Sequence, residues 1–495
     1  MSTCAQKPAE ILEADIVIVG GGAGGMAAAI AAKSNGAGRV IVLEKLKAPG
    51  GNAIFPPLPL NDDDGIPRFA CMDDNRVKAD DPRLSPDPRV RADANFNCAM
   101  EWNHWRGDAR IIRALVDKFE TNSDWLKSIM LPEDLIPSPE DMRGKLARVL
   151  TKACKNAGAE ILCETPAKKV LKDATGRVTG VLAETKDGKT IQINGNSVII
   201  STGGFIGSQE LMNKYFNYAD DNIYDDVCIM GLLHTGDGIK MAFEAGAASD
   251  GTVAFEWEMN RMPWLKNPAS PLTNLLNNDI NPGIMWVTPQ GERFADEAKM
   301  NATNSIYRLK NKTFYILFDE GQKTRILTEG PDYSLLPDIL RGIPLFQGVE
   351  DELQAQIKAG RIKTADNWTE IAEWIGCDPE VLNNTVEQYN GFCDQGHDDL
   401  FLKRPNVLNA FRTGPFYAAK STLAMLVTRG PLKVTSKMQL VDKKDDPISG
   451  FYAAGVDIGG TDSDTYACSA ACHSIGWSLA SGRIAGENAS NQGKR

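Results

Sequence analysis

The feature that most constrains this 495-residue chain is a glycine turn between a β-branched run and an alanine-rich segment. The turn, Gly20-x-Gly22-x-x-Gly25, follows the run Ile-Val-Ile-Val at 16–19 and precedes a predicted helix over 26–33. Uninterrupted β-branched runs are typical of buried parallel strands. A second apolar run, Val40–Leu43, ends in Glu44. The pattern predicts a βαβ unit whose helix N-terminus binds a pyrophosphate, with Glu44 accepting hydrogen bonds from a ribose.

The composition excludes several classes of protein. The apolar content of 42% and charged content of 24% are ordinary for a globular chain. The formal net charge of −11 argues against nucleic acid or an anionic membrane surface as a partner. No run approaches the roughly 20 apolar residues of a membrane-spanning helix, and the start of the sequence does not resemble a secretory signal. We therefore expect a cytoplasmic protein without a membrane span.

Metal and haem sites are not predicted. The ten cysteines are scattered and form no zinc-type CxxC pairs, and the chain has only four histidines. The run from Cys468 to His473 has one residue too many for the CxxCH motif of covalent haem.

The chain is long enough for two or three lobes. A proline- and aspartate-rich loop is predicted over 55–91, and helices after Asp108 and near Leu146. Alternating patterns predict strands over 161–171, 178–185 and 190–200. Residues 253–415 lack this α/β rhythm, which returns near the C-terminus. The predicted fold class is α/β: a Rossmann-type dinucleotide-binding domain split into residues 1–252 and 416–495, with an α+β domain of residues 253–415 inserted into it.

Further motifs distinguish between the possible dinucleotides. In chain order they are Asp15-Ile-Val-Ile-Val-Gly-Gly-Gly-Ala-Gly-Gly, Gly50-Gly51-Asn52, Ser201-Thr-Gly-Gly-Phe, Thr235-Gly-Asp-Gly, Gly291-Glu-Arg-Phe, Gly414-Pro-Phe-Tyr-Ala, Gly450-Phe-Tyr-Ala-Ala-Gly and Gly482-Arg-Ile-Ala-Gly-Glu-Asn-Ala. In this order they resemble the FAD-dependent fumarate reductase/succinate dehydrogenase flavoprotein family, including its soluble and 3-ketosteroid dehydrogenase branches. Only one dinucleotide fingerprint is present, which disfavours an additional NAD(P)H domain.

The resemblance implies FAD as the cofactor and residues 253–415 as a capping domain over the flavin. The family's histidine run for covalent attachment, Ser-His-x-x-x-Ala-x-Gly-Gly, does not occur, so non-covalent FAD is expected. The cofactor-binding residues that follow from the resemblance are Gly20, Gly22, Ala23, Gly24, Gly25, Glu44, Lys45, Gly50, Gly51, Asn52, Thr202, Gly203, Gly204, Asp237, Gly455, Ser474 and Ile475.

Three positions depart from the family's dicarboxylate site. The acid arginine, eight residues after the arginine of the Gly-x-Arg-Phe run, is Asn301 here. The histidine before the Thr-x-Gly turn is Val427, and the arginine of the C-terminal glycine turn is Tyr466. Fumarate itself is therefore an unexpected substrate.

Three residues are candidates for the chemistry. Tyr466 resembles the tyrosine with which the ketosteroid branch polarises a substrate carbonyl; alternatively, it packs over the flavin. Arg429 is a candidate to bind an anionic group or to face the FAD or the surface, and His234 a candidate for catalysis or a structural hydrogen bond. Glu256 and Glu258 flank Trp257 at a substrate-contact position or are an exposed pair, and Trp257, Trp264, Trp286 and Tyr307 line a pocket or belong to the core.

The leading functional hypothesis is an FAD-dependent oxidoreductase that reduces or desaturates a C–C bond adjacent to a carbonyl or carboxylate. It requires a small-molecule substrate and a separate electron donor or acceptor. The alternative is a flavoprotein electron-transfer subunit of a larger redox complex. A flavin monooxygenase is disfavoured, because residues 455–459 lack the second Gly-Asp-Ala motif.

Overall fold

A computed structural model gives the fold of the chain. It describes residues 8–54, 82–131, 134, 144–216, 228–229, 233–256, 260–262, 264, 270–278, 280–330, 344–464, 466 and 473–492.

Sixteen strands lie within the described residues. In chain order they are β1 (Glu10–Val19), β2 (Val40–Leu43), β3 (Glu160–Leu162), β4 (Ala167–Lys172), β5 (Val178–Glu184), β6 (Thr190–Ile200), β7 (Cys228–Ile229), β8 (Ala254–Glu256), β9 (Asn260–Arg261), β10 (Met285–Val287), β11 (Thr313–Asp319), β12 (Ile362–Ala365), β13 (Phe416–Met425), β14 (Val427–Arg429), β15 (Gln439–Val441) and β16 (Pro447–Ala453).

Thirteen α-helices lie in the same ranges. They are α1 (Ala23–Ser34), α2 (Pro88–Trp102), α3 (Ala109–Phe119), α4 (Asn122–Ile129), α5 (Lys145–Asn156), α6 (Gln209–Tyr215), α7 (Asp237–Glu244), α8 (Pro271–Leu276), α9 (Glu320–Glu329), α10 (Val349–Lys358), α11 (Trp368–Ile375), α12 (Pro379–Gln395) and α13 (His473–Ser490).

The first sheet has the strand order β15-β16-β6-β1-β2-β3, and β5 and β4 extend it from β6. The pairs β16–β6, β6–β1, β1–β2 and β2–β3 are parallel. All four residues of β2 and the last four of β1 are buried, because helices cover this part of the sheet. The predicted α/β class with a Rossmann-type parallel sheet is confirmed.

Helices α1 and α13 pack against each other at backbone distance. A Cβ on Gly482 would overlap with the carbonyl of Gly24, and one on Gly486 with that of Ala28. The absent side chains let the C-terminal helix lie directly on the fingerprint helix. This contact joins the two ends of the chain in one sheet domain.

The second sheet contains β10-β11-β13-β12, with β7 and β9 also paired to β13. Helices α11 and α12 cover it through a separate apolar cluster that includes Trp368, Ile371 and Tyr389. The division at 253 and 415 stays a proposal. Because β13 is central in this second sheet, its topology favours a second boundary beyond Met425 rather than at 415.

Two predicted elements differ from the structure. The single strand predicted over 161–171 is two strands, because β3 pairs with β2 and β4 turns back to pair with β5. The loop predicted over 55–91 is wrong at its end, where helix α2 begins at Pro88 with the Asp87 side chain as its cap. Most of that loop lies outside the described residues. The Asp108 cap of α3 is confirmed.

Candidate active site at the carboxyl edge of the parallel sheet

The parallel strands β16, β6, β1 and β2 end at one edge of the first sheet. Backbone hydrogen bonds of 2.8 Å connect the residues just beyond these strand ends. Gly20 N donates to Leu43 O, Ser201 N donates to Val19 O, and Ala454 N donates to Ile200 O. Ligands of open α/β sheets bind outside the carboxyl ends of the strands. Most of the predicted site residues therefore lie along this edge.

The fingerprint turn has the geometry that a dinucleotide requires. Gly25 lies so close to the Gly20 carbonyl that a Cβ would overlap with it. At Gly22, in contrast, a Cβ would meet no atom within 4 Å, and Gly22 caps α1 without a side-chain hydrogen bond. The start of α1, including Ala23 and Gly24, is buried. A pyrophosphate can thus approach the N–H groups of a buried helix N-terminus, so the turn fits FAD.

Glu44 lies next to this turn. Its Oε2 accepts a hydrogen bond from Gly21 N (3.0 Å) and its Oε1 from Leu46 N (2.8 Å). The carboxylate is buried and keeps further lone pairs for acceptance from a hydroxyl group. This position is compatible with the predicted ribose contact.

Two glycine segments are added to the fingerprint turn by tertiary contacts. Gly50 N donates to Gly21 O (2.8 Å), which places Gly51 and Asn52, in a short 3₁₀ helix, beside Gly22. From the other end of the chain, Gly455 lies against Gly24: a Cβ on Gly24 would be 3.2 Å from Gly455 N.

The turn of Thr202, Gly203 and Gly204 is held by two side chains. Asp457, which is fully buried, accepts hydrogen bonds from the backbone N–H groups of all three residues and from Thr202 Oγ1. Thr428 Oγ1 accepts one from Phe205 N (2.8 Å). Burial raises the pKa of Asp457, although these hydrogen bonds favour its charged form.

Lys45 and Asp237 form an ion pair of 3.0 Å, and Lys45 Nζ also donates to Thr235 Oγ1. Burial opposes the charged form of Asp237, but the hydrogen bond and charge of Lys45 outweigh it, so the pKa of Asp237 is lowered. The pair joins the end of β2 to the start of α7.

His234 lies beside Gly203, where a Cβ would be 3.4 Å from the imidazole ring. Burial, followed by repulsion from Lys45, lowers the pKa of His234 to about 4. Its buried Nδ1 has no hydrogen-bond partner. At neutral pH this histidine is uncharged.

Tyr466 lies at the N-terminus of α13 and is buried. Its hydroxyl oxygen accepts a hydrogen bond from Ser474 N (3.1 Å), while the neighbouring Ile475 packs against the main core. The guanidinium of Arg429 lies over the Tyr466 ring, 5.5 Å from its centroid. The structure thus brings Tyr466 and Arg429 together, and places His234 at the separate turn of Gly203.

Arg429 is matched by a carboxylate that the sequence did not indicate. Its Nε donates a hydrogen bond of 2.6 Å to Asp462 Oδ2, and both side chains are almost fully buried. Nη2 donates to Thr461 Oγ1 over 3.3 Å. The prediction that Arg429 binds an anionic ligand is untested, but its charge already has a partner within the chain.

Some of the other candidates have roles in packing or ion pairs, and the rest lie outside the described residues. Trp286 is fully buried and stacks on Phe294, so it is a core residue. Arg293 forms buried ion pairs with Glu297 and Asp398. Val427 is buried in β14, which pairs with β8 at Glu256. Trp257, Glu258 and the Cys468–Cys472 run lie outside the described residues.

Sequence reasoning missed Asp457 and Asp462. Each is an acid in the glycine-rich segment after β16, which is a weak signal by itself. Their partners, the turn of Gly204 and Arg429, lie on other strands, so only the assembled edge shows what they do.

No described helix is both long and apolar enough to cross a bilayer. Among those residues no three His, Cys, Asp or Glu side chains are grouped to hold a metal ion.

Residues 139–470 match the family described as FAD binding domain, and residues 15–59 match that described as FAD dependent oxidoreductase. A vinyl phenol reductase of Lactiplantibacillus plantarum is 29% identical over 96% of this chain and 96% of that protein. A fumarate reductase (cytochrome) of Shewanella frigidimarina is 25% identical over 97% of this chain and 78% of that protein. The structure of 3-ketosteroid delta1-dehydrogenase from Sterolibacterium denitrificans superposes with a TM-score of 0.74 at 17% identity, over 97% and 99% of the two chains, and shows the shared fold.

Proposed function

The chain belongs to the FAD binding domain family of fumarate reductase-like flavoproteins and is an FAD-dependent oxidoreductase; we propose that it reduces or desaturates a carbon–carbon bond next to a carbonyl-type group. Vinyl phenol and fumarate, named in two relatives, both contain a carbon–carbon double bond conjugated to an oxygen-bearing group. The observation on which the proposal rests is the placement of Tyr466 at the N-terminus of α13, beside the carboxyl edge of the sheet.

Bound FAD supplies or accepts the hydride. The residues proposed to hold it are the fingerprint turn, Glu44, the segment at Gly50, the turn of Thr202 and the start of α13. The N–H groups at the start of α1 suit a pyrophosphate, and the Glu44 carboxylate suits a ribose hydroxyl.

Tyr466 is the proposed electrophilic group. Its oxygen accepts a hydrogen bond from Ser474 N, and its O–H is the group that we propose donates to the substrate oxygen. The N–H of the helix start polarises this O–H, and such donors are most effective where charge develops during the reaction. Tyr466 therefore stabilises the enolate-like charge on the substrate.

Arg429 and His234 receive indirect roles in this proposal. Arg429 fixes the Tyr466 ring from one face. His234, with a pKa of about 4, is neutral at physiological pH and supports the turn of Gly203 rather than acting as an imidazolium acid.

The electron donor or acceptor is proposed to be a separate molecule, because the sequence contains one dinucleotide fingerprint only. Location in the cytoplasm stays a prediction from the sequence.

The test is anaerobic. The FAD-loaded protein is reduced with dithionite, and the return of flavin absorbance is followed as enones, unsaturated esters, vinyl phenols and fumarate are added in turn. Rapid reoxidation by a conjugated alkene supports the proposal. If no conjugated alkene reoxidises the flavin and no saturated ketone reduces the oxidised enzyme, the proposal is wrong.

A further inference from the structure

The charges along the carboxyl edge are compensated within the chain. Arg429 Nε lies 2.6 Å from Asp462 Oδ2, and Lys45 Nζ lies 3.0 Å from Asp237 Oδ2. His234 is neutral at pH 7 because burial lowers its pKa to about 4. In the described ranges, each of these three basic residues is thus either matched by a carboxylate or uncharged.

Asp462 is fixed beside Arg429 by the loop that contains it. The amide of Asn103 donates to Thr461 O (2.9 Å) and accepts from Ser463 N (2.9 Å), so it holds the residues on both sides of Asp462. Thr461 Oγ1 also donates to Asp462 Oδ2 (2.8 Å). Asn103, between α2 and α3, thus holds the backbone on both sides of Asp462, and Thr461 and Arg429 both donate to its carboxylate.

The same pair is enclosed by aromatic rings. The Arg429 guanidinium lies 5.5 Å from the ring centroid of Tyr466 and 5.6 Å from that of Trp477. Val427, two residues earlier on β14, is buried and apolar. The side of the site that contains Tyr466 therefore has an aromatic and apolar character and a cation whose charge is already neutralised.

We infer that the substrate is uncharged at the end that meets Tyr466, and that Asp462 sets this specificity by neutralising Arg429. The inference rests on the proposed function and narrows its substrate class. It predicts that neutral conjugated alkenes, such as esters, ketones and phenols, react in preference to the corresponding carboxylates. A carboxylate that enters beside the Arg429–Asp462 pair adds a desolvated negative charge that Arg429, already paired with Asp462, does not balance, which is costly.

The experiment compares an acid with its ester. Reduced, FAD-loaded enzyme is mixed anaerobically with methyl cinnamate or cinnamate, and the second-order rate constants of flavin reoxidation give an ester-to-acid ratio. Free reduced flavin, measured with both compounds, gives the ratio that intrinsic reactivity alone produces. The wild-type ratio is expected to exceed the free-flavin ratio by about tenfold or more.

Two variants shift the charge in opposite directions. Asp462→Asn leaves the Arg429 charge uncompensated, so the ratio should fall about tenfold relative to wild type. Arg429→Gln leaves the Asp462 charge uncompensated, so the ratio should rise. Asp464→Asn is the matched control, because Asp464 is an exposed carboxylate that pairs with the exposed Arg106; its ratio should equal that of wild type. Flavin occupancy and thermal unfolding confirm that each variant is folded.

The outcomes separate the two proposals. If neither compound nor any other conjugated alkene reoxidises the flavin, and no saturated ketone reduces the oxidised enzyme, the proposed function itself is wrong. If the ester reacts but the wild-type ratio does not exceed that of free flavin, the inference is overturned while the function stands. An ester-to-acid ratio that moves in the same direction in both variants also overturns the inference. A charge effect should move the ratio in opposite directions, whereas general damage to packing should not. If Asp462→Asn does not fold, the wild-type ratio and Arg429→Gln still decide.

Discussion

Asp457 and Gly204 are 253 residues apart in the sequence, and the Asp457 carboxylate accepts a hydrogen bond of 2.6 Å from the backbone N–H of Gly204. The other carboxylate oxygen accepts from Gly203 N (3.3 Å) and from Thr202 Oγ1 (3.0 Å). One buried side chain thus fixes the shape of a turn on β6 from the segment that follows β16. The carboxyl edge of the sheet is therefore built from both ends of the chain.

Replacing Asp457 by Asn should destabilise this turn. The amide NH₂ would face backbone N–H donors and leave at least one of them unpaired, so we expect a loss of about 2–3 kcal/mol in the free energy of unfolding. Urea titration of the apo protein measures it. Asp442→Asn is the control, because Asp442 caps an exposed turn in which asparagine works equally well, and it should change stability by less than about 0.5 kcal/mol. Equal losses in the two variants would contradict the assigned role.

Valine substitutions at two fingerprint glycines should separate folding from cofactor binding. Gly22 has an extended backbone (φ −78°) and its Cβ would meet no atom, so Gly22→Val should fold but lose FAD affinity by tenfold or more, since the side chain fills the space of the pyrophosphate. Gly25→Val should impair folding itself, because its Cβ overlaps with the Gly20 carbonyl. Far-UV circular dichroism of the apo proteins and FAD titration distinguish the effects. A Gly22→Val protein that binds FAD normally would show that the pyrophosphate lies elsewhere.

Tyr466→Phe should keep FAD bound and lose turnover by about 100-fold, the usual effect of removing one hydrogen-bond donor to a developing oxyanion. The measurement is kcat with a neutral conjugated alkene, together with the flavin spectrum. Tyr452→Phe is the control: this phenol is buried within β16, where burial raises its pKa to about 12, and its removal should alter stability but not kcat. An unchanged rate for Tyr466→Phe would remove this residue from the mechanism.

His234 should make stability depend on pH. The folded protein binds a proton at His234 only below about pH 4, whereas the ordinary value is 6.5. Between these values the unfolded chain binds more protons, so this contribution is complete above pH 6.5 and is lost as the pH falls toward 4. It amounts to about 3 kcal/mol.

Urea unfolding at pH 7.5 and pH 5 tests this dependence. The decrease in unfolding free energy between the two values should be smaller for His234→Gln than for wild type. His397→Gln, at an exposed histidine, should retain the wild-type decrease. Identical pH dependence in all three proteins would mean that His234 is not buried as a neutral imidazole.

The sequence alone determined the unit of β1, α1 and β2, the fingerprint turn and the start of α3, because these depend on local patterns. Glycine spacing after a β-branched run fixes a strand, a turn and a helix within about 30 residues. The Asp108 cap likewise acts on the backbone N–H groups two and three residues later. The family motifs also predicted the cofactor and the general chemistry, because they occur in the family's order from one end of the sequence to the other.

Only the tertiary structure decided which distant residues meet. The predicted strand over 161–171 is divided because its first part pairs with β2 and its second part pairs with β5. Strand β13 lies in the second sheet because it pairs with β11. In the same way Arg429, a candidate anion-binding residue by sequence, is neutralised by Asp462. Hydrogen bonds and ion pairs depend on distances of about 3 Å, and local patterns do not encode such distances between residues that are far apart in the chain.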